Sequence, residues 1–497
     1  MRIKIQNPKF KILNSISSVR SFLRDEWWLV GVLVVAAGLR WWLLPDNLFF
    51  GWEQGRDLLA VRQLLSGKLS LIGPKTDFPG VFHGALSYWL LAVPFVVFGG
   101  NPLGIMAVLM GVNLMGLVLF YKAISSLWGR RVGVVSVVLA AGSYVSVVYA
   151  RWLSNPNVVP GLVMGLFWVL VAAKKERRFL AVAAGLWGVM WHLQAAVAVT
   201  ILLAVGLWMW REKIALRWRE MLLSGVVLGV LFLPYAAFEV RHEFLMSKGA
   251  VNMVKGIGGG GDRGGVVQVW LDEALDGVWP GKRDLGLVVL AAVIGLAVGV
   301  GLKERKFLGV VGFWAAPVVF FLVLGMRPLR HYLMGMHVFF PLLVAMIVGR
   351  LVKMGKGWVG YGLAGIVLIG NLGAIYARLP ENVGIFLHHS QRTYLGDEER
   401  LIDWVYGEAG GEPFSYDYYS VPYWKREAWE YLFSWYGKGS YGYLPGEERT
   451  KVLYVLIEPD ERQPKFQKDW YAGMERESEL LTAYKSGKLW VEKRAVR

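Results

Sequence analysis

Apolar runs separated by short basic or polar stretches repeat along the first three quarters of this 497-residue chain. They fall at 27–44, 84–99, 103–121, 132–150, 158–173, 179–191, 193–210, 221–238, 285–302, 307–325, 332–349 and 357–376. Many are 16–20 residues long, about what a helix needs to cross the hydrocarbon of a bilayer. The pattern then changes. Hydropathy drops after Arg378, and residues 379–497 read as one small α/β domain. In it 397–407 and the aromatic-rich 427–436 have helical spacing, 452–457 is an alternating or buried strand and 488–491 a last short strand. The expected fold is mostly α: a polytopic membrane domain, 1–378, followed by a soluble domain, 379–497.

The positions of Lys and Arg between the runs decide which runs cross. If 84–99 does not cross, six basic stretches fall on one side: 1–26, 122–131, 174–178, 211–219, 303–306 and 350–356. The short loops at 99–102, 151–157 and 192 then face the other way with a single arginine among them. The positive-inside rule favours this arrangement. It predicts about eleven transmembrane helices, a cytoplasmic N-terminus, an extracytoplasmic C-terminal domain and a re-entrant or juxtamembrane helix at 84–99. The run 27–44 follows a basic segment without a small-residue cleavage site, so it reads as an uncleaved first crossing. The large outer loops are 45–83 and 239–284; the glycine-rich stretch Gly256–Gly265 inside the second reads as a flexible connection.

Composition narrows the function classes. Hydrophobic residues make up 55% of the chain and mean hydropathy is +0.43. Many of the 24 Trp sit near segment ends, as in an interfacial aromatic belt. The net charge of +17 would suit nucleic acid, but its cations lie largely in the short loops that set membrane orientation, so a nucleic-acid partner is rejected. With no Cys, disulfides, thiolate catalysis and Cys-based metal sites are excluded. His83, His192 and His331 are the residues to examine for a shared divalent metal, although no spaced ligand motif accompanies them.

The chemistry concentrates at the outer ends of the apolar runs. Glu53, Arg56 and Asp57 are spaced i, i+3 and i+4, so on a helix two carboxylates flank one guanidinium. That suits proton abstraction beside an anionic substrate. His83 and Tyr88 follow at the start of the next run. Arg327, Arg330, His331 and Tyr332 open another outer helix end, and clustered guanidinium groups suit phosphate. Glu239, Arg241 and His242 begin the second large loop. Asn155 lies in a Ser-Asn-Pro-Asn turn, and His192 and Gln194 lie at the break of the short pair 179–191 and 193–210, a candidate cavity wall.

Together these stretches resemble the GT-C superfamily of polyprenol-phosphate-sugar-dependent glycosyltransferases, among them bacterial protein O-mannosyltransferase-like and lipid A aminoarabinose transferase-like proteins. The resemblance rests on Trp52-Glu53-Gln54-Gly55-Arg56-Asp57, His83-Gly84-Ala85-Leu86-Ser87-Tyr88-Trp89, Ser154-Asn155-Pro156-Asn157, Trp191-His192-Leu193-Gln194, Pro234–His242 and Arg330-His331-Tyr332, in that order. It implies inverting transfer of a sugar from a polyprenyl-phosphate donor, on the outer face of the cytoplasmic membrane, to a protein, lipid or glycan acceptor. The acid that opens the first outer loop in that family is normally Asp and here is Glu53, so either Glu53 or Asp57 is the base. The family's Lys-Pro-Pro-like element is His83-Gly84-Ala85. Arg56, Arg327 and Arg330 would stabilise the departing phosphate. The other function class with a cavity and basic residues is a transporter or flippase of a lipid-linked or anionic envelope substrate.

Overall fold

The computed structural model describes residues 24–257, 262–300, 305–380, 393–446 and 448–497. The chain is mostly helical, with a small sheet near its C-terminal end. Five described helices are long and apolar enough to cross a membrane: Pro102–Trp128, Asn155–Ala173, Trp218–Arg241, Met336–Lys353 and Gly357–Arg378. A sixth span results if the bent pair Arg130–Ala141 and Tyr144–Ala150 counts as one. Shorter apolar helices include Trp27–Trp41, Leu86–Val97, Phe179–Leu193 and Ala195–Arg211. Leu86–Val97 has 12 residues, about 18 Å at 1.5 Å per residue, well short of a bilayer's hydrocarbon. That length fits the juxtamembrane place expected for 84–99.

Polar side chains buried in the bundle tie the helices together. Asn113 donates to Asn157 Oδ1 at 3.1 Å and accepts from the Gly161 amide at 3.1 Å. Arg151 is buried; it donates to the carbonyls of Arg40 and Trp42 and, at 2.6 Å, to Asn47 Oδ1. These bonds give the buried amides of Asn113 and Asn157 and the terminal guanidinium nitrogens of Arg151 partners where water is absent. The same bonds fix the Ser154–Asn157 turn against the chain entering the first outer region.

The stretches 45–83 and 239–284, expected as outer loops, hold more regular structure than their sequence suggested. Residues 45–83 fold into the helix Trp52–Leu65 and an antiparallel hairpin, β1 (Ile72–Lys75) and β2 (Phe82–Gly84), with Ile72 opposite Gly84. The stretch 239–284, read as a flexible loop, carries two helices, Leu245–Ile257 and Arg263–Val278. The second starts where the Asp262 carboxylate accepts the Gly265 amide at 2.7 Å, a standard cap, and buries Val266, Val269, Ala274 and Leu275. Of the glycine-rich stretch, Gly258–Gly261 lie outside the described residues, as do most of 1–26, 301–304 and 381–392 just after the expected boundary at 378.

The C-terminal sheet has the order β3-β4-β6-β5, built from β3 (Ser415–Tyr419), β4 (Val452–Ile457), β5 (Ser478–Ser486) and β6 (Leu489–Val496). β3 and β4 are parallel; β4–β6 and β5–β6 are antiparallel. β4 coincides with its expected span. The expected helix at 397–407 is Leu395–Ala409, and that at 427–436 is Glu427–Leu432 followed by a wider π-type turn to Gly437. β3, β5 and the helix Pro464–Glu477 were not legible, because their apolar residues are few and irregularly spaced.

The sheet region is clamped onto the membrane bundle. The Phe50 amide bonds Thr393 O at 3.1 Å and the Leu395 amide bonds Leu48 O at 2.9 Å. The Tyr431 hydroxyl reaches Gly100 O at 2.5 Å, the Trp435 indole reaches Gly99 O at 3.0 Å, and Arg62 donates to Ser434 Oγ at 2.7 Å. Trp429, Tyr431 and Leu432 are fully buried in the same core as Phe50 and Leu58. Burial of each such side chain is worth about 1.5–3 kcal/mol.

Candidate active site

A cavity of about 690 Å³ lies where the bundle, the first outer region and the sheet region meet. The helix Trp52–Leu65 supplies its acid. This helix begins at Gly51, whose amide bonds Gln54 Oε1 at 3.1 Å, while Gln54 Nε2 bonds Leu153 O at 2.8 Å. On the next turn Gly55 faces the backbone of Glu427 so closely that any Cβ would overlap the Glu427 carbonyl. The acid-bearing helix is therefore wedged between the bundle and the sheet region.

Three side chains on that helix, Glu53, Arg56 and Asp57, set the electrostatics. Asp57 is buried and takes both bonds from Arg56, at 2.9 Å from Nε and 2.8 Å from Nη2. Glu53, half-buried, lines the cavity and has no hydrogen bond or ion pair among the described residues. Burial pushes the Glu53 carboxyl above its ordinary range; Arg56 opposes the shift and the nearby Asp77 adds to it. Burial raises Asp57 to about 6, against the pull of Arg56. A carboxylate with raised basicity, open to a cavity and held beside a cation, is the arrangement a general base needs.

The hairpin and the segment after Met326 provide the facing wall. Lys75, Asp77 and His83 line the cavity from the hairpin, and His331 and Tyr332 from the Arg330–Leu333 turn. Tyr332 donates to Asp77 Oδ2 at 3.0 Å. His331 packs edge-on against Trp152, ring centroids 5.7 Å apart. Burial lowers both His83 and His331 to about 4, so both are neutral at pH 7. Gly84 is required behind His83, because a Cβ there would overlap the ring of His192. The sheet region closes the cavity with Val421, Pro422, Tyr423 and Arg462, held by Asp460, which accepts from Tyr419 at 3.0 Å and Tyr423 at 2.6 Å.

This fold has been seen before. The chain superposes on ArnT from Cupriavidus metallidurans in the apo state with a TM-score of 0.61, over 95% of this chain and 98% of that one, at 12% identity. The same protein bound to undecaprenyl phosphate gives 0.58, over 93% and 97%, also at 12% identity. This chain and ArnT therefore share one fold. The archaeal oligosaccharyltransferase AglB from Archaeoglobus fulgidus matches at a TM-score of 0.43, 11% identity, over 85% of this chain and 64% of that one, too loosely to carry an argument. No family model matches the chain, and no curated protein matches its sequence.

Within this fold, seven of the residues singled out from sequence meet at the cavity: Glu53, Arg56, His83, Asn155, Gln194, His331 and Tyr332. Gln194 sits at the break between Phe179–Leu193 and Ala195–Arg211, and Trp191, Ala195 and Val199 of that pair form one wall, as its shortness suggested. Asn155 lines the cavity while its amide bonds Leu193 O.

The others lie elsewhere. Asp57 is turned to Arg56, and Tyr88 stands near that pair without lining the cavity. His192 is buried with Nε2 2.9 Å from Leu231 O. The three-histidine metal site is thus not assembled, and among the described residues no group of three or more His, Asp or Glu is placed to hold a metal ion. Glu239 caps the helix Leu245–Ile257, accepting from the Met246 amide at 2.8 Å; Arg241 is exposed, and His242 stacks on Phe238. Arg327 is exposed outside the cavity, near Gly265. Arg330 is bound to Glu273 at 2.9 Å and Asp276 at 2.8 Å. The reason is local: the helix Arg263–Val278, not anticipated from sequence, brings two carboxylates to that guanidinium.

Sequence reasoning missed Lys75 and Asp77, and the whole contribution of the sheet region. Lys75 and Asp77 carried a signal, since they are charged residues between two stretches already singled out. Asp460 and Arg462 carried none.

Proposed function

We propose that this protein is a membrane glycosyltransferase that moves a sugar from a polyprenyl-phosphate donor to an acceptor at the outer face of the cytoplasmic membrane, with inversion. The observation that carries the reading is Glu53: an acid with no hydrogen bond or ion pair among the described residues, raised in basicity, on a cavity of about 690 Å³ in a fold shared with ArnT. Glu53 takes the proton of the acceptor hydroxyl or amine, the acceptor attacks the anomeric carbon, and polyprenyl phosphate leaves. Asp57 holds Arg56 in place rather than acting as the base, because both of the Arg56 bonds end on it and it does not face the cavity. Charge on the leaving phosphate falls to Arg56 and Lys75, the latter without an ion pair among the described residues. A well-placed donor of this kind contributes about 3–4 kcal/mol to a transition state. The eleven-crossing topology, the division at residue 378 and the outward placement of the sheet region belong to the same reading. The structure of ArnT with undecaprenyl phosphate supports a lipid-phosphate donor at the level of the shared fold.

The test is release of polyprenyl phosphate by the purified protein from a panel of polyprenyl-phosphate-linked sugars, with envelope extract as acceptor source. Wild type should release it and E53Q should not. Movement of intact lipid-linked sugar between vesicle leaflets, without release and insensitive to E53Q, would replace the transferase by a transporter.

A further inference from the structure

A second cavity lies at the far end of the bundle. The helix Pro102–Trp128 starts next to Gly99 and Gly100, whose carbonyls are held by Trp435 and Tyr431 of the sheet region. It runs for 27 residues, about 40 Å at 1.5 Å per residue, so Trp128 stands a bilayer's thickness away. The chain reverses at Gly129, with φ +91°, and Arg130 and Arg131 open the next helix. The helix Phe339–Lys353 ends at the same level with Arg350 and Lys353. These two helix ends enclose a cleft of about 200 Å³ walled by Trp128, Val132 and Met346 and rimmed by four cations.

The charges there do not balance. Arg130 is paired with Glu26 at 3.2 Å. Arg131, Arg350 and Lys353 have no ion pair among the described residues; Arg350 uses only its Nε, on Val300 O at 3.3 Å. The Trp128 indole N–H is buried without a hydrogen-bond partner among the described residues. The helix that Arg130 opens has no side-chain cap, so its first amides and its dipole add further positive potential. Orientation alone asks for cations at this end of the molecule, but not for several of them around one concave volume. Like charges held together beside apolar walls repel unless an anion joins them.

We propose that this cleft binds the phosphodiester headgroup of an anionic phospholipid. Helix ends at this level meet the headgroup phosphates of a bilayer, and basic pockets between transmembrane helices are known to select anionic lipid. Val132 and Met346, both buried, form an apolar floor beneath the charged rim, against which the headgroup seats. The site is independent of the proposed transferase chemistry and shares no residue with the cavity around Glu53.

The test uses the full-length protein in nonionic detergent and native mass spectrometry, titrating phosphatidylglycerol and phosphatidylcholine separately. Wild type should retain one phosphatidylglycerol at least about tenfold more tightly than phosphatidylcholine. R131Q/R350Q/K353Q should lose that preference, and R131K/R350K/K353R should keep it. A second measurement needs no variant: in phosphatidylcholine nanodiscs with one quarter phosphatidylglycerol, Lys353 should acylate several-fold more slowly than in pure phosphatidylcholine. Equal retention of both lipids by wild type, equal acylation in both nanodiscs, or undiminished preference in the glutamine variant would overturn the proposal. So would protection of Lys353 by millimolar inorganic phosphate matching that by phosphatidylglycerol, which would make the cleft a site for free phosphate.

Discussion

Two clusters near the cavity each combine one arginine with two carboxylates, and they behave oppositely. Around Arg330, Glu273 and Asp276 both take a bond from the guanidinium, Tyr149 adds a hydrogen bond to Glu273 at 3.3 Å, and the Glu273 side chain is 0% exposed. Around Arg56, among the described residues, Asp57 takes both bonds while Glu53 has no hydrogen bond or ion pair and lines the cavity. In sequence both look like candidate chemistry. In three dimensions one is a closed ion-pair network that joins the helix Arg263–Val278 to the Arg330–Leu333 turn, and the other keeps an acid in reserve. A cluster of charges becomes a candidate site when one member is left unsatisfied beside a cavity, and that is decided by packing rather than by composition.

The comparison can be broken most sharply at Arg330. R330A leaves the buried Glu273 without its cation and Asp276 with only Arg378 at 3.9 Å, which costs about 3–5 kcal/mol. Thermal unfolding in detergent should drop by many degrees, whereas addition of polyprenyl phosphate should raise the melting temperatures of wild type and variant by the same increment. A smaller increment in R330A would instead place Arg330 at the donor phosphate. At Glu53 the expected split is the reverse. E53Q should reduce transfer at least about a hundredfold, as for loss of a general base, with melting temperature near that of wild type. Unimpaired release of polyprenyl phosphate by E53Q would remove Glu53 from the mechanism.

Two pH measurements sharpen the contrast further. Asp57 has a folded-state value near 6 against an ordinary 3.8. Its contribution to stability is therefore full below about 3.8 and is lost as pH rises through about 6. Wild type should lose stability relative to D57N across that window, measured by thermal unfolding at matched ionic strength; parallel curves would refute the assignment. The smallest effect concerns Asp77, whose charge helps to raise Glu53 above its ordinary 4.5. The rate should climb with pH as Glu53 ionises, and D77N should move that climb to lower pH, because a like charge has been removed. An unmoved profile would separate Asp77 from the base.

Local sequence determined a good deal of this. Apolar run length marked the membrane bundle, and the spacing of Glu53, Arg56 and Asp57 put them on one helix. The break at His192–Gln194 marked a cavity wall, and the buried run Val452–Ile457 marked a strand. These are properties of neighbouring residues, fixed by backbone periodicity and the cost of exposing apolar surface. Which acid faces the cavity was not such a property. It followed from Arg56 turning both its bonds to Asp57, from Gly55 admitting the Glu427 backbone, and from Gly84 leaving room for the His192 ring. The sheet residues Tyr423, Asp460 and Arg462 reach the cavity only because the clamp at Gly99, Gly100 and Thr393 brings chain hundreds of residues away against the helix that carries Glu53. Contacts of that range leave no periodicity to read, so tertiary structure alone decided which charges were consumed by partners and which were left for chemistry.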